Sequence, residues 1–168
     1  MGIDPGLTRC GVGMVEVDDH RRFHFLGVHV VKTEPTEELP VRLLHLDNGL
    51  TDLLDHYQPN FVAVERVFSQ LNVSTAMGTA QASAIALLNA TRRDIDTALY
   101  TPTEVKAAVT GYGRADKAQV TSMVSRILNL SSPPKPADAA DALALALCHA
   151  MRGLGQQRLT EGLARLAQ

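Results

Sequence analysis

Four acidic residues stand in sequence contexts where a carboxylate is unexpected. Asp4 ends a short apolar segment before a Pro-Gly turn, and Glu65 ends a run of four apolar residues. Asp138 and Asp141 begin an Ala/Leu-rich segment, and residues three apart on a helix share one face. Open α/β sheets bind ligands beyond the carboxyl ends of their strands. A site there would bring Asp4 and Glu65 side by side if their strands are neighbours.

Four carboxylates that converge would repel one another strongly without a cation between them. The set therefore predicts a site for a hard metal ion such as Mg²⁺, which takes carboxylate oxygens as ligands. Two such ions about 4 Å apart would stabilise the attacking water and the leaving oxygen in phosphodiester hydrolysis. Two of the acids also have a plainer interpretation, because Asp4 suits a turn and Asp138 suits the first turn of a helix.

Lysines are scarce in this chain, and Lys106 and Lys117 are two of only four. Lys117 follows Asp116 at a helix start, where the helix dipole disfavours a cation. A phosphate group is the partner that we expect for it. Lys106 suits a phosphate contact and a solvated helix face equally well.

Phe68 stands apart from the other three phenylalanines, which fall within predicted strands. It follows Glu65 by three residues and precedes a polar stretch, so it places a large apolar ring on a loop at the mouth of the predicted site. The functional interpretation is a contact with the substrate of that site. The alternative is a buried anchor for the loop.

The composition is that of an ordinary globular domain, with 168 residues, 45% hydrophobic and 20% charged. Aromatic residues make up only 4% of the chain, which argues against nucleic-acid modules that stack bases on aromatic platforms. No apolar run approaches the roughly 18 residues of a membrane span, and the start lacks the order of a signal peptide. Cys10 and Cys148 have apolar surroundings, which predicts reduced core residues and a cytoplasmic protein with no membrane association.

The hydrophobic pattern gives the element order β-β-β-α-β-α-β-α-α-α, which predicts an α/β fold with a mixed sheet and helices on both faces. The predicted strands are a short one at Ile3 and the segments 10–18, 23–32, 61–65 and 97–101. The predicted helices are 39–57, 73–91, a short one opened by Pro102, 116–130 and 137–151. We expect one domain over residues 1–155 and a partly disordered tail over 156–168.

Several motifs, taken together and in order, resemble those of one family. They are Gly2-Ile3-Asp4-Pro5-Gly6, the stretch 64–68, the Gly-Tyr-Gly at 111–113 followed by 116–120, and the acid-bearing segment 137–143. The ordered set resembles the RuvC-type Holliday-junction resolvases of the ribonuclease H-like superfamily. The match spans roughly residues 2–150, and it implies that superfamily's mixed five-stranded sheet.

The resemblance also implies an activity. It implies a homodimer that cuts four-way DNA junctions by paired symmetric nicks, with a branch-migration complex of the RuvA and RuvB type as partner. The implied metal ligands are the four acids Asp4, Glu65, Asp138 and Asp141, holding two Mg²⁺ ions for which Mn²⁺ would substitute. Lys106 and Lys117 match basic residues near the scissile phosphates. The implied DNA contacts are Arg66, Phe68, Gln70, Asn72, Lys106, Arg114 and Lys117.

Two other functions remain open from the residues alone. A ribonuclease H acting on RNA–DNA hybrids would use a similar acid cluster and would need contacts to 2′-hydroxyl groups. An actin-like ATPase can also begin with Asp4-Pro5-Gly6, but that fold needs a second similar half and a much longer chain.

Overall fold

The computed structural model describes residues 1–66 and 73–166. Its strands are β1 (Gly2–Asp4), β2 (Arg9–Val17), β3 (Phe23–Lys32), β4 (Phe61–Glu65) and β5 (Asp96–Tyr100). Its helices are α1 (Leu39–Tyr57), α2 (Val73–Thr91), α3 (Pro102–Thr110), α4 (Lys117–Ile127) and α5 (Ala137–Leu166).

The five strands form one mixed sheet in the order β3-β2-β1-β4-β5. The strands β1, β2 and β3 pair antiparallel, whereas β4 runs parallel to β1 and β5 runs parallel to β4. This arrangement confirms the predicted α/β fold of the ribonuclease H-like type. It also places the carboxyl ends of β1 and β4 next to each other at the centre of the sheet.

Helices cover both faces of the sheet, and each face has its own apolar core. The first core joins α1 and α2 to the side chains of Ile3, Val12 and Val64. The second core joins α3, α4 and α5 to Ala63 and Tyr100 on the opposite face. Because side chains alternate along a strand, Asp4 and Glu65 point to the second face, together with Ala63.

Both ends of β2, β5 and α4 differ from the sequence-based expectation, by one to three residues. Helix α4 begins at Lys117, because Asp116 is its cap: the Asp116 carboxylate accepts from the backbone N–H of Gln119 at 2.8 Å. It ends at Ile127, and Asn129 follows with a φ of 50° in the left-handed region. Strand β5 begins one residue earlier than expected, at Asp96.

Helix α5 continues well past residue 151, where the sequence pattern predicted its end, and reaches Leu166. The domain boundary at residue 155 and the disorder of the tail stay predictions. In the part of the chain that the structure describes, no helix is both long enough and apolar enough to cross a membrane.

Candidate active site

Asp4 and Glu65 lie on neighbouring strands at the same edge of the sheet. The pairing of Ile3 with Val64 in the parallel ladder of β1 and β4 puts the next residues of both strands, the two acids, beside each other. Both side chains point to the face that α5 covers. The expectation that these strands are neighbours is therefore confirmed.

The amino end of α5 lies against the sheet with almost no space between the two backbones. A Cβ at Gly11 would collide with the backbone carbonyl of Asp138, and one at Gly13 would lie 2.7 Å from the backbone nitrogen of Leu143. Gly11 is also the residue that pairs with Asp4 across β1 and β2. The absence of side chains on these glycines lets α5 bring its first-turn acids next to Asp4.

The other three acids affect the ionisation of the Asp4 carboxyl group. Burial and, in decreasing order, the charges of Glu65, Asp141 and Asp138 together raise its pKa to about 7. The charge of Lys117 acts in the opposite direction. The structure thus brings all four predicted acids close enough to Asp4 to change its ionisation.

The pKa of Glu65 is affected in the same way by burial and acidic neighbours, and a second lysine acts on it as well. Burial raises the pKa of Glu65 and the charge of Asp141 raises it too, whereas the charges of Lys117 and Lys106 lower it. Lys106 therefore lies near the site from α3, and Lys117 lies near it from the first residue of α4. Two predicted cations and four predicted acids belong to one cluster.

Two of the acids are held by cations. The Lys117 ammonium donates to Asp141 Oδ2 at 3.0 Å, and the guanidinium of Arg9 donates to Asp138 Oδ2 at 2.6 Å. Both pairs are solvent-accessible, with 77% of the Lys117 side chain and 42% of the Arg9 side chain exposed. These exposed cations are therefore accessible to other anions, such as phosphate groups.

The chemistry of the donor set fits a hard divalent cation. Burial and acidic neighbours raise the pKa values of Asp4 and Glu65, and a bound cation would lower both pKa values again. Among the described residues, no three carboxylates, histidines or cysteines already gather tightly enough to hold one ion. The two ion pairs give a reason, because Lys117 and Arg9 occupy oxygens that a metal would take. The acids fit the metal in type, since all four offer carboxylate oxygens.

The remaining predicted DNA contacts have different positions. Arg66 is exposed just after β4, and its charge acts on Glu104 of α3. Arg114 is exposed in the turn before α4, and no contact joins it to the four acids in the described chain. Phe68, Gln70 and Asn72 lie outside the described residues.

Sequence reasoning missed Arg9 altogether. This arginine is the first residue of β2, and its acidic partner lies 129 residues away on α5. Nothing in the local pattern around Arg9 signals the contact, since it depends on the packing of α5 across β2. Lys117 was expected to meet a phosphate, and Asp141 is the partner that the structure shows.

The chain is similar to one family along nearly its whole length. A family model described as "Crossover junction endodeoxyribonuclease RuvC" matches residues 1–149. A curated relative of that name from Salinispora arenicola is 62% identical over 159 residues, covering 95% of this chain and 91% of the relative. Another relative of that name from Streptomyces avermitilis is 61% identical over 164 residues, covering 98% of this chain and 93% of the relative.

Solved structures are similar in the same way. A T. thermophilus RuvC in complex with a Holliday junction substrate has a TM-score of 0.85 at 36% identity, covering 90% of this chain and 92% of that chain. The yeast mitochondrial Holliday junction resolvase Ydc2 has a TM-score of 0.67 at 14% identity, covering 99% and 85%, which is a likeness of fold alone.

Proposed function

The chain belongs to the RuvC family of crossover junction endodeoxyribonucleases, and from this premise we propose how its own residues cut a DNA junction. It is a nuclease that hydrolyses phosphodiester bonds of four-way DNA junctions. The observation that carries the proposal is geometric: Asp4 and Glu65 lie side by side at the carboxyl ends of β1 and β4, and α5 packs its two acids against the same end of the sheet. A structural acid in a turn would have no reason to lie among three others.

The four acids form the metal-binding centre. Asp4 and Glu65 supply the buried ligands from the sheet, and Asp141 and Asp138 supply the more exposed ligands from α5. The family depends on divalent metal, and the carboxylate set suits two Mg²⁺ ions, with Mn²⁺ as a substitute. Bound there, the metal would supply charge that stabilises the attacking water and the leaving oxygen.

The two lysines act on the DNA backbone. Lys117 exchanges Asp141 for a phosphate oxygen beside the scissile bond when DNA enters, since its ammonium is largely exposed in the free protein. Lys106 contributes positive charge from α3 on the Glu65 side of the site. Together they neutralise a phosphate that would otherwise be repelled by four acids. Arg66, Gln70, Asn72 and Arg114 complete the proposed DNA contacts.

The activity is tested by cleavage of a synthetic four-way junction, with each strand labelled in turn. Paired symmetric cutting gives nicks at matching positions on two opposite strands, and a ligase reseals the products. Nicks at unrelated positions on all strands would contradict symmetric resolution.

The working unit is a homodimer, because two symmetric cuts require two sites related by a two-fold axis. The many small residues of α2 suggest this helix as the interface, but two of them, Ala82 and Ala86, are fully buried in the core of their own chain. The opposite side of α2 is exposed and apolar, with Met77 and Leu88 exposed at 57% and 45%. Ala84 lies between them at helical spacing and is also exposed. This face of α2 is the proposed interface.

Placing glutamates at Ala84 and Leu88 should separate the protomers. Like charges would then face each other across the two-fold axis, which costs several kcal/mol, so dimerisation should weaken by roughly a hundredfold. Sedimentation velocity at micromolar concentration measures the shift from dimer to monomer. Leu44→Glu is the control, because Leu44 is a similarly exposed leucine, at 57%, on α1. A wild-type protein that sediments as a monomer with and without junction DNA would contradict the dimer.

Phe68 is proposed to unstack bases at the centre of the junction. Phe68→Ala should lower junction cleavage by roughly tenfold or more, because unstacking a base step costs a few kcal/mol that the ring would offset. Thermal stability and duplex binding should remain unchanged. Phe25→Ala is the matched control, since Phe25 is 40% exposed on β3. A large fall in melting temperature with normal cleavage per folded molecule would instead identify Phe68 as a loop anchor.

The cellular setting follows from the same proposal. A nuclease of this family acts on DNA that a branch-migration complex of the RuvA and RuvB type delivers, so we propose that complex as its protein partner. We also propose a cytoplasmic location, supported by the buried free cysteines Cys10 and Cys148, which suit a reducing compartment.

A further inference from the structure

A groove beside the active site contains an arginine that no acid pairs with. Arg42 of α1 is half-buried, and its guanidinium donates to the hydroxyl of Thr33 at 3.0 Å and to the hydroxyl of Thr8 at 2.7 Å. Both partners are neutral. In the described part of the chain, no carboxylate forms an ion pair with Arg42.

The arginine is held in place before any ligand arrives. Thr33 is only 4% exposed, and its own hydroxyl donates to the backbone carbonyl of Leu7 at 2.6 Å. The backbone N–H of Thr33 donates to the carbonyl of Thr8 at 3.1 Å. These hydrogen bonds hold the turn between β1 and β2 in place, and they hold the Arg42 guanidinium against that turn. A fixed cation without a counter-ion is a preorganised site for an anion.

The groove has the size and lining for an extended polar ligand. Its volume is about 710 Å³, and the turn residues Gly6–Arg9, Arg42 and part of α2 line it. None of its described lining residues is acidic, and Thr79 and Gln81 add polar groups from α2. Leu7 and Leu39 add apolar surface of the kind that sugar carbons contact. A phosphodiester backbone meets both requirements, whereas an acidic peptide would not need the apolar wall.

Arg9 and the turn after Asp4 link the groove to the catalytic acids. Arg9 lines it and bonds Asp138. Thr8 lies four residues after Asp4, so an extended chain separates them by no more than about 14 Å. A DNA strand carries one phosphate per about 3.4 Å of axis. A strand in the groove would therefore lie within about four nucleotides of the bond that is cut.

We propose that this groove binds the sugar-phosphate backbone of the cleaved DNA strand beside the scissile phosphate, with Arg42 as a fixed phosphate contact and Arg9 as a second. The inference rests on the proposed function, since it assigns a path to the same substrate. The groove extends the DNA-binding surface to the turn between β1 and β2. This turn and the two lysines lie on opposite sides of the four acids.

The test compares Arg42→Gln and Arg42→Lys with wild-type protein in junction binding over a range of salt concentrations. The loss of one phosphate contact should lower the slope of log K against log salt by about 0.9 and weaken binding by roughly threefold to tenfold. Arg42→Lys should retain most of the slope, since it keeps the charge. Arg22→Gln is the matched control, because Arg22 pairs with Asp18 in the turn between β2 and β3, at the far end of the sheet.

Ethylation of single phosphates locates the contact. Wild-type protein should lose affinity when one phosphate within about four nucleotides of the cut is ethylated, and Arg42→Gln should be insensitive to that same ethylation. Equal slopes for folded Arg42→Gln and wild type would overturn the proposal, as would an equal effect of Arg22→Gln. If Arg42→Gln and Arg42→Lys fail equally, Arg42 only holds the turn, and the proposal is wrong. If wild-type protein nicks junctions and both variants bind junctions normally, the nuclease function stands and the groove has no part in DNA binding.

Discussion

Replacing Asp141 by Asn or Glu65 by Gln is expected to reduce junction cleavage by at least about a thousandfold while junction binding stays within a few-fold of wild type. Each change keeps the shape of the side chain and removes one negative charge from the metal-binding centre. Cleavage depends on that charge, because the metal stabilises the transition state. Binding depends mainly on phosphate contacts, which neither change removes.

The measurement is single-turnover cleavage of a labelled junction with Mg²⁺, paired with a gel-shift titration without metal. Asp19→Asn and Glu16→Gln are matched controls, since both residues are exposed and lie near or in the turn between β2 and β3, away from the site. Asp138→Asn should show the smallest loss of the four acids, because Asp138 also suits the first turn of α5 as an acid favoured by the helix dipole. Magnesium-dependent cleavage within tenfold of wild type would remove the altered residue from the site.

Replacing Asp4 by Asn is expected to abolish cleavage and yet make the metal-free protein more stable at alkaline pH. The pKa of Asp4 is about 7 in the folded protein against an ordinary value of 3.8. Between these two values the folded state binds more protons than the unfolded state, so stability falls as pH rises through this window. Above pH 7 the ionised Asp4 keeps the free energy of unfolding lower, by on the order of 2–4 kcal/mol. Asparagine carries no charge and removes that cost.

Thermal unfolding at several pH values measures this effect. The melting temperature of Asp4→Asn should exceed that of wild type by roughly 5–10 °C at pH 8 without metal, and the difference should shrink toward pH 5. Mg²⁺ should raise the melting temperature of wild type much more than that of the variant. An Asp4→Asn protein that is less stable than wild type at pH 8 would show that the acid is not under electrostatic strain.

The arrangement of the acids was largely readable from the sequence because each acid ends or begins an element with a strong pattern. The apolar run before Glu65 predicted its strand, and the Ala/Leu segment after Asp141 predicted its helix. Whether the strands of Asp4 and Glu65 are neighbours was left open by the sequence, and the structure shows that they are. Even the start of α4 is encoded locally, since Asp116 and Gln119 form a capping box at the spacing expected of one.

The two arginines could not be predicted because their contacts join distant parts of the chain. Arg42 meets Thr8 across 34 positions and Arg9 meets Asp138 across 129 positions. Helix α2 posed a different problem, because it has small or apolar residues on nearly every side. Such a helix has no clear apolar stripe, so the division between its buried alanines and the exposed face around Leu88 emerged only from the packing.

The central claim is that the cluster around Asp4 cuts four-way DNA junctions, and substrate choice tests it most directly. The protein is incubated with Mg²⁺ and equal amounts of a synthetic four-way junction, the matching linear duplex and an RNA–DNA hybrid of the same sequence, with ATP turnover followed in parallel. We expect paired nicks in the junction, little cleavage of duplex or hybrid, no ATP hydrolysis, and no cleavage by Asp141→Asn. Cleavage of the hybrid in preference to the junction, or an intact junction in the presence of metal, would contradict the account.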